Sequence, residues 1–376
     1  MKKHLFLLTT DITLDGGVER VVCNLANSFT RHNYDVDIIS IFKSDNDVKY
    51  TVDNLVTVKY LFEEESYASF MRHVPLSKIQ LIWRYLLAIK FTHPLYKYIC
   101  SVLKPGQKGI ILCNSYLITP LYRHKDIKII GLDHSRYPFQ NLTKGYKHWL
   151  HTYMVRKFDI ITTLNVDELS KWKTLGKPVV VMPNFIPVNE NRGENVIREK
   201  TVLSLGRMNT PQKGFDRLIE IYAKIALKHS DWTLKIFGSG KYQPTYIKQI
   251  NDLNLQNYIK IYDFTESPDL EYKKASIYAM TSREEGFGMV LLEAGLSGLP
   301  LIAYDVEFGP KTIIKDGETG FVIQNGDTNA FACALEKLMV DNELRSRMSA
   351  SVKEDIKNRY SENIIMERWI NLINTL

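Results

Sequence analysis

The sequence predicts an α/β protein of two domains, each with a parallel β-sheet that helices cover on both faces. The chain of 376 residues is long for one ordinary domain and sufficient for two, each with its own core. Short β-branched segments alternate with longer amphipathic segments from end to end, which is the pattern of parallel sheets. The alternation is interrupted once, near the middle of the chain, and then resumes.

The alternation places each strand in order. We expect the strands of the first half at residues 4–10, 35–42, 56–61, 109–114, 128–134, 160–165 and 179–183. Amphipathic segments between them, such as 18–31 and 77–101, predict helices. In the second half we expect strands at 202–207, 233–237, 259–262, 277–281, 301–304 and 320–323, with a helix after each. Two units of this kind are Rossmann-like.

The interruption near residues 187–200 predicts the domain boundary, because Pro187, Gly193 and a cluster of charges break the apolar periodicity there. We therefore expect a first domain at 1–187, a second at 188–360 and a last helix at 361–376 that crosses back to the first domain. Ligands of open parallel sheets bind outside the carboxyl ends of the strands, and pockets favour domain junctions. The functional residues are therefore expected just after strands, in a cleft between the domains.

Composition excludes several classes of protein. A hydrophobic fraction of 45% with 24% charged residues is ordinary for a globular protein, so disordered and fibrous classes are excluded. The apolar run at the start is too short for a signal peptide and fits a first strand, and no run reaches the length of a membrane span. Four scattered cysteines argue against a disulfide framework and fit a reducing cytoplasm.

Charge is distributed unevenly. Residues 1–187 contain 25 Lys and Arg against 16 Asp and Glu, whereas the remainder contains 24 against 26. Between Ser66 and Lys125 there is no acidic residue at all, while basic residues alternate with bulky apolar ones. The excess of positive charge therefore belongs to the first domain and needs an explanation.

The loop after the first strand contains Gly16 and Gly17 directly before a helix. Glycines there let backbone N–H groups approach a ligand, and the N-terminus of a helix favours an anionic group. The alternative is a tight turn that needs positive φ angles. The sequence leaves both interpretations open.

Two basic side chains follow the first strand of the second domain. Arg207 ends the strand, and Lys213 comes six residues later, before the next helix. Fixed cations at this edge could neutralise the charge that develops when a nucleotide diphosphate leaves. The alternative is a solvated pair at the mouth of a loop.

A third segment, residues 282–294, has the sequence Ser-Arg-Glu-Glu-Gly-Phe-Gly-Met-Val-Leu-Leu-Glu-Ala. Gly286 and Gly288 permit a close turn after Glu285, and Glu293 lies eight positions after Glu285 in the predicted helix. The first amides of this helix would attract an anion. Two acceptors beside such a helix end suit a ligand with hydroxyls at both ends and phosphates between them, as in a sugar nucleotide.

These segments resemble the retaining family-4 glycosyltransferases of the GT-B fold, in which two Rossmann-like domains face each other across a cleft. The resemblance rests on Gly16-Gly17, Gly206-Arg207, Lys213-Gly214, Phe237-Gly238-Ser239-Gly240, the Glu285 to Glu293 motif and the segments 298–300 and 316–320. It spans nearly the whole second domain and touches the first only at its start. The Glu-x7-Glu element in its Gly-Phe-Gly setting is the specific part.

The resemblance implies a role for each matched position. Glu285 would contact hydroxyls of the donor sugar and support the positive charge at its anomeric carbon, while Glu293 would accept hydrogen bonds from the ribose. Arg207 and Lys213 would hold the diphosphate and act in catalysis. Donor-binding backbone is expected at Gly16, Gly17, Gly238, Gly286, Phe287, Gly288 and Met289, and backbone near Phe264 would face the base.

The resemblance also implies a catalytic histidine at the end of a first-domain strand, and His134 fits that place, although a lone histidine can be purely structural. Retention without a positioned nucleophile would need the leaving phosphate to deprotonate the acceptor hydroxyl on the same face of the sugar. Catalysis would then be mostly electrostatic and positional.

Two Asp-x-Asp triplets, at 35–37 and 45–47, could suggest a metal site. The first lies in a predicted strand and the second in a polar loop, with no further cluster of hard ligands nearby. We therefore expect no metal and no cofactor, with the nucleotide-diphosphate sugar as substrate.

The acid-free segment suggests a membrane surface as partner. Lys78, Trp83, Arg84 and Lys90 lie in one predicted helix, which could rest on anionic lipid. The alternative is a helix that covers the sheet with a solvated basic side. Nucleic acid is not expected, since no nucleic-acid-binding motif accompanies the charge.

The sequence and the resemblance together predict a sugar-transferring enzyme on the cytoplasmic face of the cell membrane. The resemblance implies UDP-sugars as donors and a lipid-linked or glycan acceptor in surface polysaccharide synthesis. A non-catalytic sugar-nucleotide-binding protein is an alternative. A dinucleotide-dependent oxidoreductase is a weaker one, because both Gly-x-Gly pairs lack the last glycine of that fingerprint, with Gln243 and Leu291 in its place.

Overall fold

The computed structural model describes residues 3–66, 80–114, 118–133, 146–174, 176–187, 197–265 and 267–376. Its strands are β1 (His4–Asp11), β2 (Asp35–Phe42), β3 (Thr57–Phe62), β4 (Gly109–Cys113), β5 (Ile127–Leu132), β6 (Ile160–Thr163), β7 (Val179–Val181), β8 (Thr201–Leu205), β9 (Thr233–Phe237), β10 (Ile259–Tyr262), β11 (Ile277–Met280), β12 (Leu301–Asp305) and β13 (Gly320–Gln324). All the strands predicted from the sequence are present, with small differences at their ends.

The helices are α1 (Gly17–Arg31), α2 (Gln80–Val102), α3 (Tyr146–Val155), α4 (Leu169–Lys173), α5 (Phe215–Ala223), α6 (Gln243–Asp252), α7 (Pro268–Lys274), α8 (Met289–Leu296), α9 (Pro310–Ile313), α10 (Thr328–Val340), α11 (Asn342–Tyr360) and α12 (Glu362–Thr375). Two 3₁₀ turns, Val166–Glu168 and Pro211–Lys213, lie between them.

The chain forms two compact units: unit 1 contains residues 1–187 and 365–376, and unit 2 contains residues 188–364. Unit 1 has a seven-stranded sheet in the order β3-β2-β1-β4-β5-β6-β7. Unit 2 has a six-stranded sheet in the order β10-β9-β8-β11-β12-β13. All paired strands are parallel, so both units have the Rossmann-like order predicted from the alternation.

Each sheet has its own apolar core. In unit 1, Phe6 and Leu8 of β1 pack with Phe91 and Ile99 of α2, and all four are fully buried. A further buried contact joins α1 and α12, where Trp369 packs edge-on against Phe29 at 6.0 Å between ring centroids. Unit 2 has an equivalent core between β8, β9, α5 and α10.

Candidate functional site

One predicted cationic residue and one predicted acidic residue of unit 2 meet where its sheet changes winding direction. Strands β8 and β11 are neighbours at the centre of this sheet, although α5, β9 and β10 separate them in sequence. Ligands of open parallel sheets bind outside the carboxyl ends of strands at such a point. The loop after β8 carries Lys213, and the loop after β11 carries Glu285, so the fold brings these predicted residues to one place.

Lys213 and Glu285 form an ion pair at this place. The Lys213 Nζ donates to Glu285 Oε1 at 2.7 Å, and the Ser282 hydroxyl donates to the same oxygen at 2.6 Å. The Glu285 side chain is only 8% exposed, whereas that of Lys213 is 25% exposed. A buried carboxylate with two donors on one oxygen keeps a fixed orientation. The pair therefore presents a positioned anion and a positioned cation at the strand ends.

A second ion pair holds the two loops together. Arg283 binds Asp216 through both guanidinium nitrogens, at 2.8 and 2.5 Å, and also donates to the Pro211 carbonyl at 2.7 Å. Burial would raise the pKa of Asp216, but hydrogen bonds and the positive charge of Arg283 lower it overall. We call this pair, with its Pro211 contact, the loop latch. It fixes the short 3₁₀ turn that ends at Lys213.

Glycine at position 214 makes this close approach possible. Gly214 has a left-handed φ of 68°, and a Cβ there would lie 2.1 Å from the carbonyl oxygen of Thr281. The Thr281 hydroxyl donates to the Gly214 carbonyl at 2.8 Å. Only glycine combines this φ with this contact at no steric cost.

The loop that carries Arg207 is held by the segment after β9. Gly238 has φ 153°, and a Cβ there would lie 1.9 Å from the Gly206 carbonyl oxygen. The Met208 amide donates to Ser239 at 2.8 Å. Gly238 therefore supports the backbone beside Arg207, whose side chain is exposed. Whether Gly238 also contacts a donor stays a prediction.

Glu293 lies deeper than the sequence could indicate. It sits in the second turn of α8, is 3% exposed, and accepts a hydrogen bond from the Tyr272 hydroxyl at 2.8 Å. Tyr278 is fully buried nearby, and burial, followed by the charges of Glu285 and Glu293, raises its pKa. The two glutamates of the motif thus share one electrostatic environment, while a ribose contact at Glu293 stays a prediction.

The turn before α8 is also tightly packed. Gly288 caps the helix with a left-handed φ of 95°, as a close turn requires, and Met289 is the first helical residue. Phe287 is buried and meets the ring of Tyr360 edge-on at 5.8 Å. Gly309 has φ 98°, and a Cβ there would lie 2.6 Å from the Phe287 carbonyl oxygen. Sequence reasoning did not single out Gly309, Asp216 or Tyr272.

The remaining predicted donor contact of unit 2 lies after β10. Phe264 is 63% exposed, and beside it Tyr262 stacks on Phe237 at 4.7 Å between ring centroids. Neighbouring strand ends thus carry aromatic surface at the carboxyl edge of the sheet. A role for this region in binding a base stays a prediction.

In unit 1, the glycine pair does not form a left-handed turn. Gly16 is extended, with φ −146°, and caps α1, while Gly17 is the first helical residue. A Cβ at Gly17 would meet nothing within 4 Å. The alternative of a tight turn with positive φ is therefore wrong. A Cβ at Gly16, in contrast, would lie 2.0 Å from the Glu19 carboxylate, so the Glu19 side chain lies beside the residue that caps the helix.

His134 lies outside the described residues. Its neighbour Asp133 is 4% exposed and accepts the indole N–H of Trp172 at 3.0 Å. The chain therefore enters the His134 position from a fixed, buried point directly after β5. The catalytic role of His134 stays a prediction.

The Asp-x-Asp triplets have local partners. Asp37 lies 3.2 Å from His4 Nε2 and accepts the Tyr98 hydroxyl at 2.9 Å, while Asp45 pairs with Lys49 at 2.5 Å. Within the described ranges, no group of three or more His, Cys, Asp or Glu side chains is arranged to hold a metal ion.

Of the residues predicted to bind a membrane, Lys78 and the side chains of Trp83 and Arg84 lie outside what the structure describes. Lys90 on α2 pairs with Glu65 at 2.5 Å and lies over the Phe62 ring at 4.5 Å. In the part of the chain that is described, no helix combines the length and the apolar character that spanning a bilayer requires.

Two Rossmann-like units define a protein of the GT-B type. In unit 2, the ion pair between Lys213 and Glu285 joins the loops after β8 and β11, where the sheet changes winding direction. Comparison with known proteins agrees. Residues 187–355 match the family described as glycosyl transferases group 1, and residues 15–190 match glycosyltransferase family 4. The chain belongs to the GT-B glycosyltransferases that combine these two domains.

Two relatives that align with most of this chain are glycosyltransferases. The amylovoran biosynthesis glycosyltransferase AmsD of Erwinia amylovora is 28% identical over 98% of this chain and 99% of its own length. A poly(ribitol-phosphate) alpha-N-acetylglucosaminyltransferase of Staphylococcus aureus is 25% identical over 87% of this chain and 68% of its own length.

Solved structures share the fold. The S. aureus protein TarM, in a crystal structure with Fondaparinux, alpha-GlcNAc-glycerol and UDP, has a TM-score of 0.78 at 17% identity, with 100% of both chains covered. The pneumococcal O-GlcNAc transferase GtfA, in complex with UDP and GlcNAc, has a TM-score of 0.76 at 14% identity, with 100% of this chain and 99% of that chain covered.

Proposed function

We propose that this glycosyltransferase is retaining and metal-independent, and that it transfers a hexose or N-acetylhexosamine from a UDP-sugar to a lipid-linked or glycan acceptor in surface polysaccharide synthesis. One observation carries the proposal: Lys213 and Glu285 form an oriented pair at the sheet switch point. Support comes from relatives named for amylovoran, poly(ribitol-phosphate) and lipopolysaccharide core synthesis, and from structures of the same fold that hold UDP.

In the proposed reaction, the bond between the anomeric carbon and the diphosphate oxygen breaks, and a bond to the acceptor oxygen forms on the same face. The acceptor proton passes to the leaving phosphate. Lys213 and Arg207 would stabilise the departing diphosphate, and Glu285 would stabilise the positive charge at the anomeric carbon. Because these charges are already positioned, little reorganisation is needed during the reaction.

Peripheral contact with the inner face of the cell membrane is part of the proposal, since a lipid-linked acceptor lies there. The described residues support it only in part, because Lys90 is already paired with Glu65. Flotation with neutral and anionic vesicles tests this contact. Equal recovery with both kinds of vesicle would contradict an electrostatic attachment.

The function is tested by incubating the full chain with UDP- and GDP-sugars, with and without acceptor glycans, in EDTA. We expect slow hydrolysis of one UDP-sugar, and with acceptor a product whose anomeric proton coupling in NMR matches the donor configuration. Binding of the donor without any turnover would instead identify a non-catalytic sensor. An inverted product would contradict retention.

A further inference from the structure

The starts of the strands in unit 1 form a second charged surface, at the edge opposite the carboxyl ends. The segments that end there are residues 103–108, 121–128, 156–159 and 173–178, together with Lys3 before β1. Their basic residues are Lys3, Lys104, Lys108, Arg123, Lys125, Lys128, Arg156, Lys157, Lys173 and Lys177, and their acidic residues are Asp126 and Asp159. We call this set the basic edge.

The sheet order places these segments in a row. Strands β1, β4, β5, β6 and β7 are consecutive neighbours in the sheet, so their starts follow one another along its edge. With neighbouring strands about 4.8 Å apart, five strands span about 19 Å. The basic edge is therefore a linear array of cations of roughly that length.

The cations of this row are crowded rather than paired. Arg123 and Lys128 both bind one carboxylate, Asp159. Burial, followed by the charges of Arg123 and Arg156, lowers the pKa of Lys177. Burial, followed by the charge of Lys108, lowers the pKa of Lys3. Such crowding of like charges opposes folding, so it needs a compensating role.

Several of these side chains have no acidic neighbour in the described part of the chain. Lys104, Lys108, Lys125 and Arg156 are exposed, and no described carboxylate oxygen lies within 4.0 Å of them. They are therefore available to an external anion.

The same edge of unit 2 is built differently. Lys200 pairs with Asp231 at 2.5 Å, and Lys235 pairs with Glu199 at 2.7 Å. Lys274 also lies 3.7 Å from Glu271. The six strands of unit 2 follow the order of the first six strands of unit 1, so the fold itself does not require an excess of basic residues at this edge.

Helix ends explain only part of the charge. Arg156 and Lys157 follow α3, where a cation is favoured by the helix dipole. Lys108 instead directly precedes β4, and Lys125 and Lys177 lie two residues before β5 and β7, where no such dipole acts. A solvated edge that merely caps helices would not need them.

The shape of the basic edge fits a linear polymer better than a bilayer. Tyr122, which is 47% exposed, lies at this edge, and Trp149 on α3, which is 65% exposed, stacks on Tyr153, whose ring lies 4.5 Å from the Lys157 Nζ. Leu86 and Ile89 are exposed in the first half of α2, and its end at Val102 reaches the basic edge. Exposed apolar side chains thus lie at separate places along the edge, whereas its cations follow one another in a row, which matches a linear polyanion.

We infer that the basic edge binds a linear glycan chain that carries phosphodiester groups, as part of the acceptor. Guanidinium and ammonium groups in a row bind regularly spaced phosphates, and release of counterions makes this binding depend on salt. The inference rests on the proposed function, in which the acceptor is a glycan. The basic edge lies at the starts of the strands, and β1 is about 26 Å long. An acceptor that binds the basic edge and also reaches the carboxyl ends of the strands must therefore be a chain of several repeat units.

The test compares two triple variants of the full chain. In the first, Lys108→Gln, Lys125→Gln and Arg156→Gln remove three exposed cations of the basic edge. In the matched control, Lys200→Gln, Lys235→Gln and Lys274→Gln remove three paired cations of unit 2. Thermal unfolding checks both proteins, and we expect the first variant to be about as stable as the wild type, because relief of like-charge repulsion offsets the loss of a cation at the end of α3.

Binding is measured with poly(ribitol phosphate) chains, with polygalacturonate of similar length and with vesicles rich in phosphatidylglycerol. We expect the first variant to bind poly(ribitol phosphate) on the order of tenfold more weakly. The slope of its log affinity against log salt concentration should fall by the equivalent of about two to three phosphate contacts. The control should bind as the wild type does. The inference would be overturned if both variants bound poly(ribitol phosphate) equally well. It would also be overturned if the first variant lost as much affinity for polygalacturonate as for poly(ribitol phosphate), or if it lost affinity for vesicles alone.

Kinetics separate this inference from the proposed function. For a long phosphate-bearing acceptor, the first variant should show a higher acceptor KM with unchanged kcat and donor KM, and for a short neutral acceptor it should show no change. UDP-sugar hydrolysis should be unchanged. If the wild type hydrolyses no nucleotide sugar, the proposed function fails; if hydrolysis persists while the variant keeps the wild-type acceptor KM, only the basic edge is wrong.

Discussion

The six strands of unit 2 follow the order of the first six strands of unit 1, yet glycines that follow strands in the two units have opposite surroundings. In unit 2, Gly214 and Gly238 lie so close to carbonyl oxygens that a Cβ would fall 2.1 and 1.9 Å from them. In unit 1, a Cβ at Gly17 would meet nothing within 4 Å. Gly214 and Gly238 therefore serve internal packing, whereas Gly17 has open space beside its α-carbon.

The charges differ in the same way. Unit 2 concentrates an oriented acid-base pair at its switch point and neutralises its other edge with ion pairs. Unit 1 leaves a row of cations at its strand starts. One topology thus supports a packed ion pair at the switch point of one unit and a row of cations in the other.

The largest expected effect is at the pair itself. Glu285→Gln and Lys213→Gln should each reduce turnover on the order of a hundredfold or more, because each removes a charge that stabilises the transition state. Initial rates with the preferred donor measure this. Thermal unfolding serves as the folding control, and a folded variant with the wild-type rate would remove that residue from the mechanism.

The next effect concerns the loop latch. Asp216→Asn removes the partner of Arg283, so the turn that carries Lys213 should loosen and kcat should fall on the order of tenfold, since small displacements of positioned groups are costly. Arg283→Lys keeps the charge but loses the bidentate contact, and an intermediate kcat is expected.

The matched control is Asp231→Asn, which breaks the exposed pair with Lys200 in the same unit and should leave kcat unchanged. If Asp216→Asn lowers only the unfolding temperature and kcat stays at the wild-type value, the latch is structural and does not position Lys213.

Glycine substitutions test the comparison directly. Gly238→Ala should lower the free energy of unfolding by about 2 kcal/mol or more, because φ 153° and the Gly206 carbonyl both oppose a side chain. Gly17→Ala should leave it unchanged or raise it by up to about 1 kcal/mol, because alanine suits a helix better.

Gly17→Ala should nevertheless raise the donor KM, if the open space beside Gly17 admits the diphosphate. Chemical denaturation and initial rates measure the two quantities. Unchanged KM in this variant would mean that Gly17 gives no room to the donor.

The smallest effect is expected from metal removal. Excess EDTA should leave turnover unchanged, because Arg207 and Lys213 would supply the positive charge that a metal ion supplies in other enzymes. Activity that is abolished by EDTA and restored by Mn²⁺ or Mg²⁺ would contradict the metal-free mechanism.

Strand periodicity was sufficient to predict both sheets, since each buried strand leaves a local pattern. Because parallel strands end at a common edge, the sequence also predicted that Lys213 and Glu285 would share one site, and the fold brings them together. The latch between Asp216 and Arg283 joins residues 67 apart with no spacing rule, so no local signal could reveal it.

The depth of Glu293 was equally hidden, because its partner Tyr272 lies on another helix. Gly309 belongs to none of the motifs that the sequence revealed. Its role depends on its close approach to the Phe287 carbonyl, which exists only in the folded chain. Packing between segments distant in sequence thus accounts for what sequence reasoning missed.

The most direct test of the central claim is calorimetric titration of UDP into the full chain in EDTA. The wild type should bind, and the double variant Arg207→Gln with Lys213→Gln should bind on the order of tenfold more weakly or worse, since two charged contacts with the diphosphate are lost. The control Lys200→Gln with Lys235→Gln should match the wild type. Equal affinity in all three proteins would show that the switch point of unit 2 does not hold the nucleotide diphosphate.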